Sequence, residues 1–184
     1  MKKLFFLLFI GIGVTDLVYS QSDKVQELGI FTADFNGFGI RYKVGTNNLL
    51  YRFSVASLSM SSAEYDFGSV TQDEDDHGLA LAGGFEIPVS MNDRFEVFYG
   101  GEASFQYEDG DMVNEDEISK MKFTGYGLNA VLGFSYSVSP KVKLSAEITP
   151  GLTFIKVKEG DLEVSGWKFQ FNNQDAVITL GFRF

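Results

Sequence analysis

From Arg94 to Tyr107 the chain alternates between two kinds of residue. Phe95, Val97, Tyr99, Gly101, Ala103, Phe105 and Tyr107 fall on one side of an extended backbone. Arg94, Glu96, Phe98, Gly100, Glu102, Ser104 and Gln106 fall on the other. Side chains of a strand point to opposite faces in turn, so a period of two predicts a strand with one apolar and one more polar face. The last residues repeat the pattern: Ala176, Ile178, Leu180, Phe182 and Phe184 alternate with Val177, Thr179, Gly181 and Arg183. Similar runs lie at 26–33, 38–44, 49–58, 78–89, 122–136 and 141–154. The pattern therefore predicts eight strands of about seven to fifteen residues, where a tilted strand needs roughly 9–11 to cross a membrane.

The connections divide into two classes. Gly45-Thr46-Asn47-Asn48, Ser90-Met91-Asn92-Asp93 and a turn containing Ser139-Pro140 are short, and they use residues that tolerate positive φ or preset a turn. The intervening connections at 59–77, 108–121 and 155–175 are long; the first, around Asp34 to Gly37, is the exception. Short turns at one end and long loops at the other predict an all-β fold, an eight-stranded up-and-down antiparallel transmembrane β-barrel. The first strand must then pair with the last, because an open sheet edge leaves backbone polar groups unsatisfied in hydrocarbon.

Residues 1–20 fall outside this pattern. Lys2 and Lys3 precede an unbroken apolar run from Leu4 to Ile10, and Val18 and Ser20 occupy the −3 and −1 positions of a cleavage before Gln21. A signal peptide over 1–20 is expected, followed by a barrel domain over 21–184. The apolar run is too short to span a bilayer as a helix.

The less apolar face is built of small residues, among them Gly39, Ser54, Ala56, Ala80, Ala82, Gly84, Gly100, Gly125, Gly127, Gly133, Ser145, Gly151 and Gly181. A soluble barrel would carry long charged side chains there; small ones suit the narrow interior of eight strands. The large apolar residues then face lipid, with Tyr42, Tyr51, Tyr99, Tyr107, Tyr126 and Tyr136 marking the aromatic girdles. Pro150 cannot donate to a ladder and is expected near the outer rim.

The leader, the eight alternating strands and the terminal Ile178-Thr179-Leu180-Gly181-Phe182-Arg183-Phe184 together resemble the small outer-membrane β-barrel family of Gram-negative bacteria, of the OmpX type or the membrane half of OmpA. The resemblance implies an outer-membrane location after export. It also implies recognition by the barrel-assembly machinery through the C-terminal strand ending at Phe184. The cell-wall tethering of full-length OmpA is not carried over.

Strand parity also assigns the interior charges. Glu27, Glu86, Glu96, Glu102 and Glu147 point inward, as do Arg41, Lys43, Arg52, Arg94, Lys143 and Arg183. Near balance of sign favours a paired network that plugs the barrel over an ion-selective ring. The expected function is a structural or surface-interaction role. A small-solute channel is the alternative and a lipid A-modifying enzyme the third reading.

Charge and composition narrow the chemistry. The 25 acidic and 15 basic residues give −10, a poor match to nucleic-acid phosphate, and no nucleic-acid partner is expected. With no cysteine and one histidine, thiolate and multi-histidine metal sites are excluded. The three long loops hold 16 acids against Lys120, Lys156, Lys158 and Lys168. Asp73-Glu74-Asp75-Asp76 lacks the spacing of a calcium loop, so shared divalent bridging to lipopolysaccharide fits it better than a closed cage. His77 near Ser69 and Asp76 is the one Ser/His/acid trio of interest, but it belongs to no recognisable motif. No catalytic, cofactor or metal residue is assigned. Lys120, Lys122, Lys156, Lys158 and Lys168 are expected at the outer rim, at the level of lipid A phosphates. The expected partners are outer-membrane lipid and lipopolysaccharide around a monomer.

Overall fold

The computed structural model describes residues 24–33, 37–58, 77–114, 117–160, 162–170 and 176–184. Ten strand segments are present: β1 (Val25–Ala33), β2 (Gly37–Thr46), β3 (Leu49–Leu58), β4 (His77–Ser90), β5 (Phe95–Asn114), β6 (Glu117–Ser139), β7 (Val142–Ile148), β8 (Gly151–Glu159), β9 (Leu162–Gln170) and β10 (Ala176–Arg183). Each of β1 to β6 pairs antiparallel with its sequence neighbour, and β1 also pairs with β10.

The ten segments make eight barrel strands. Both β7 and β8 lie on β6 in one register, with Leu132 opposite Ile148 and Asn129 opposite Gly151. They are one strand interrupted at Thr149 and Pro150. Pro150 accepts the Ala130 N–H at 2.8 Å, but it has no N–H to return the bond, so one rung is lost and the ladder resumes. In the same way β9 pairs with β8 and β10 with β7, which makes β9 and β10 the eighth strand. Closure by β1 on β10 gives the eight-stranded antiparallel barrel that the alternation predicts.

The short turns follow from local side-chain chemistry. Asn92 Oδ1 accepts the Arg94 and Phe95 N–H groups at 2.9 Å each. Ser139 Oγ accepts those of Lys141 and Val142 at 3.3 and 3.1 Å. Gly160, at φ 54°, takes the left-handed conformation at the β8–β9 turn, which a side chain would disfavour.

Two of the expected long loops are largely strand. The 108–121 segment continues β5 and β6 as a paired hairpin, with Asp109 opposite Lys122 and Asn114 opposite Glu117. Within 155–175, the ladder continues through β8 and β9, from Leu152 opposite Phe169 to Glu159 opposite Leu162. These pairs extend a ladder already formed below them, so they need no alternation of their own. The 59–77 loop and the 1–20 leader lie outside the described residues, apart from His77 at the start of β4. Pro150 is also lower than expected, two rows beneath the Tyr126–Phe154 pair rather than at the rim.

Candidate functional site

The wall separates two faces. Leu28, Ile30, Ile40, Phe53, Val55, Leu81, Phe85, Tyr99, Leu128, Leu132, Phe134, Leu144, Leu180 and Phe182 are exposed on the outside. A continuous apolar surface of this extent is an interaction surface, and around a closed barrel it is a hydrocarbon-facing belt. Inside, Glu27, Arg41, Lys43, Arg52, Glu86, Lys143 and Glu147 are all buried.

Arg52 on β3 occupies the centre of this interior and is wholly buried. Its guanidinium donates to Glu147 from both terminal nitrogens, Nη2 at 2.5 Å and Nη1 at 3.1 Å, and to Glu86 at 3.3 Å. The fork geometry matches a planar carboxylate, which is why arginine suits this position. Glu102 Oε2 lies 3.2 Å from Arg52 Nε, yet neither atom makes a hydrogen bond. That contact is Coulombic only, and weaker than the aligned pairs.

From this centre the network runs both ways. Glu147 also binds Arg41 at 2.8 Å, and Arg41 donates to Ser54 and Thr179 at 2.9 and 3.2 Å while its head stacks on Phe31. Glu86 binds Lys43 at 2.8 Å, and Lys43 lies 3.7 Å from Glu27, which in turn lies 3.9 Å from Arg183. Lys143 pairs separately with Glu96, which also accepts from Ser135 at 3.3 Å. Strand β6 contributes no charge to this set. Its inward Gly125, Gly127, Val131 and Gly133 make room for groups from the other strands, and a Cβ at Gly133 would run into the Phe98 ring.

The packing leaves little space. Glu27, Lys43, Glu86, Glu96, Phe98, Lys143 and Arg183 line a void of about 10 Å³. That is about the volume one water needs, far below a hydrated ion's requirement.

Parity placed all five acids correctly and five of the six bases. The exception is Arg94, which is exposed in the β4–β5 turn and donates to Tyr136 Oη at 3.4 Å. The alternation runs one residue past the strand's start at Phe95. Sequence reading missed the two inward rings, Phe31 and Phe98, as partners for the Arg41 and Lys43 cations. Parity already held that signal, since Phe98 alternates with Glu96 and Glu102.

The remaining candidates divide. His77 pairs in the ladder opposite Asp109, while Ser69, Asp76 and the Asp73-Glu74-Asp75 run lie outside the described residues. Lys122 and Lys158 stand directly opposite one another on the outer face, with Lys156 one row below. Lys168 is opposite inward-facing Thr153, hence on the other face, and the Lys120 side chain lies outside the described residues. The five lysines therefore do not form one band.

No family model and no curated protein matches the chain. Solved structures do match it. A major outer membrane protein from Thermus thermophilus is 14% identical, with 90% of this chain and 100% of that one covered, at a TM-score of 0.47. The N-terminal β-barrel domain of Pseudomonas aeruginosa OprF is 14% identical over 90% of this chain and 100% of its own, at 0.44. Ail, the attachment invasion locus protein of Yersinia pestis, is 14% identical over 88% and 99%, at 0.39. These are likenesses of fold at low identity, and the chemistry of the interior and the wall rests on this chain's own residues.

Proposed function

We propose that the chain is a non-catalytic outer-membrane β-barrel protein of a Gram-negative bacterium, monomeric, with a structural or surface-interaction role. In this reading the ion-paired interior is a plug. The hairpins of β5–β6 and β8–β9, extended beyond the apolar belt, are part of the surface offered to the outside. Lipopolysaccharide is the surrounding partner, and the C-terminal strand ending at Phe184 is the segment read by the assembly machinery.

The observation that carries this reading is Arg52, wholly buried against Glu147, Glu86 and Glu102 at the centre of the interior. A conduit would need these pairs to separate, and a buried pair that loses one partner costs about 3–5 kcal/mol. Single-channel recording of the refolded full chain in a planar bilayer tests the point. A silent barrel supports the plug; steady open events would establish the small-solute channel in its place.

A further inference from the structure

Near the hairpin end, the outer wall of β4, β5, β6, β8 and β9 changes character over a few rows. Gly83, Gly101, Ala103 and Ala130 replace the large residues found elsewhere on this face. With Phe85 and Leu128 at their border they leave an open groove of about 530 Å³. A Cβ added at Gly83 or Gly101 would meet nothing closer than 3.6 Å, so the space is real on the lipid side.

Directly above stands a row of four rings. Tyr126 is opposite both Phe105 and Phe154, and Phe154 is opposite Trp167. The Phe105–Tyr126 and Phe154–Trp167 centroids are each 5.3 Å apart. Aromatic rings with a polar edge settle at the boundary between hydrocarbon and headgroups. Above the rings come the cations: Lys156 opposite Thr124, then Lys122 opposite Lys158.

Like charges directly across a strand pair repel; Lys122 also faces Asp109 and Lys158 faces Glu163 on their other sides, so with Lys156 the three lysines outnumber the two acids and leave the patch one positive charge for an anion. Two acids share the patch. Asp109 lies 3.7 Å from Lys122 and Glu163 2.8 Å from Lys156, but all four side chains are about half exposed, and such pairs are weak and exchangeable. Lys158 has no ion pair among the described residues.

We infer that this column is a binding site for one phosphate-bearing lipid of the outer leaflet. An acyl chain lies in the groove, the ring row meets the headgroup base, and Lys122, Lys156 and Lys158 hold the phosphate. The inference rests on the membrane reading above. From the Ala103 row to the Asp109 row is six residues, about 20 Å along the strand, which a headgroup and the upper part of its chain can span. The groove opens into the apolar belt, where a soluble partner has no access. Charge complementarity then selects an anionic headgroup over a zwitterionic one.

Trp167 is the chain's single tryptophan and lies on the ring row, so it reports the site without a label. The full chain, refolded into phosphatidylcholine nanodiscs, is exposed to lipid A, to dephosphorylated lipid A, or to inorganic phosphate. A saturable change in Trp167 emission is expected with lipid A, and at least tenfold weaker binding of its dephosphorylated form. Inorganic phosphate should have no effect; competition by it alone would replace the lipid site with a free-anion site. The triple variant K122Q/K156Q/K158Q should bind lipid A at least tenfold more weakly. Filling the groove in A103L/A130L should weaken binding several-fold with the lysines intact. Unchanged binding in the lysine variant would leave only strand-end snorkelling and overturn the inference. The heat-dependent gel shift of a folded barrel separates the two failures: a protein that never inserts refutes the membrane reading, and an inserted one indifferent to the lysines refutes only the site.

Discussion

Glu147→Ala is the most direct perturbation of the interior. The carboxylate takes two bonds from Arg52, at 2.5 and 3.1 Å, and one ion pair from Arg41, at 2.8 Å. Its side chain is 1% exposed, so no solvent replaces it in place. Removing one member of a buried pair costs about 3–5 kcal/mol, because the partner's charge stays buried without compensation. Arg52 keeps Glu86, and Arg41 keeps Ser54 and Thr179, which brings the expected loss to about 4 kcal/mol rather than twice that. With a urea slope of about 2 kcal/mol per molar, the unfolding midpoint in detergent micelles should fall by about 2 M.

Two further variants separate charge from packing. Glu147→Gln keeps the volume and one acceptor oxygen but removes the charge that Arg41 and Arg52 share, leaving Arg52 with Glu86 and Glu102 and Arg41 with neutral acceptors, so it should lose most of the same stability. Glu102→Ala should cost less than Glu147→Ala, since its 3.2 Å contact with Arg52 Nε is not an aligned hydrogen bond. Glu163→Ala, in a half-exposed pair with Lys156, should stay within about 0.5 kcal/mol of the parent. Trp167 emission and the heat-dependent gel shift both read the transition. Equal midpoints for Glu147→Ala and Glu163→Ala would refute the claim that the interior pairs hold the barrel. A neutral Glu147→Gln would show that shape, not charge, does so.

The closed ladder should resist SDS at room temperature, so that unboiled and boiled samples migrate differently; a mature chain that stays monomeric and folded in buffer without detergent would instead be a soluble barrel. Adjacent glycines test the two faces. A Cβ at Gly84 would run into the Gly101 carbonyl oxygen, so Gly84→Ala should cost about 1–3 kcal/mol. At Gly83 the nearest atom is 3.8 Å away, so Gly83→Ala should be neutral or gain up to about 1 kcal/mol; equal urea midpoints for the two would refute the parity of β4. Phe184→Ala should lower the yield of folded barrel in the cell's outer membrane while refolding in micelles is nearly unchanged. Equal losses in both would make Phe184, whose N–H donates to the Gln26 carbonyl at 3.0 Å, a stability residue rather than an assembly signal.

The belt region was legible because its two sides meet different surroundings. Phe53 between Arg52 and Ser54, or Leu144 between Lys143 and Ser145, can only be read one way when one side is hydrocarbon and the other a narrow lumen. Parity therefore reveals the eight strands and the carboxylates that face Arg52, and the unsatisfied edge of an open sheet in hydrocarbon requires their closure. Parity could not say which pairs form. Glu147 reaches Arg52 from β7 and Glu86 reaches it from β4, and these meetings depend on how far neighbouring strands are staggered around the barrel.

Above the belt both sides of a strand meet water, and the alternation that reveals a strand disappears while the ladder persists. Glu108, Asp109 and Asp111 read as loop from composition, yet they continue β5 because β6 offers a partner in register. The lysines show the same limit from another direction. Lys156, Lys158 and Lys168 look equivalent as cations flanking one loop. Their faces depend on the β8–β9 register, which sets Thr153 against Lys168 and Glu163 against Lys158. One residue of slip would exchange the faces of β9. The register that turns Lys168 away also puts Trp167 on the outer row beside Phe154, so the column of rings and cations depends on strand pairing that composition could not reveal.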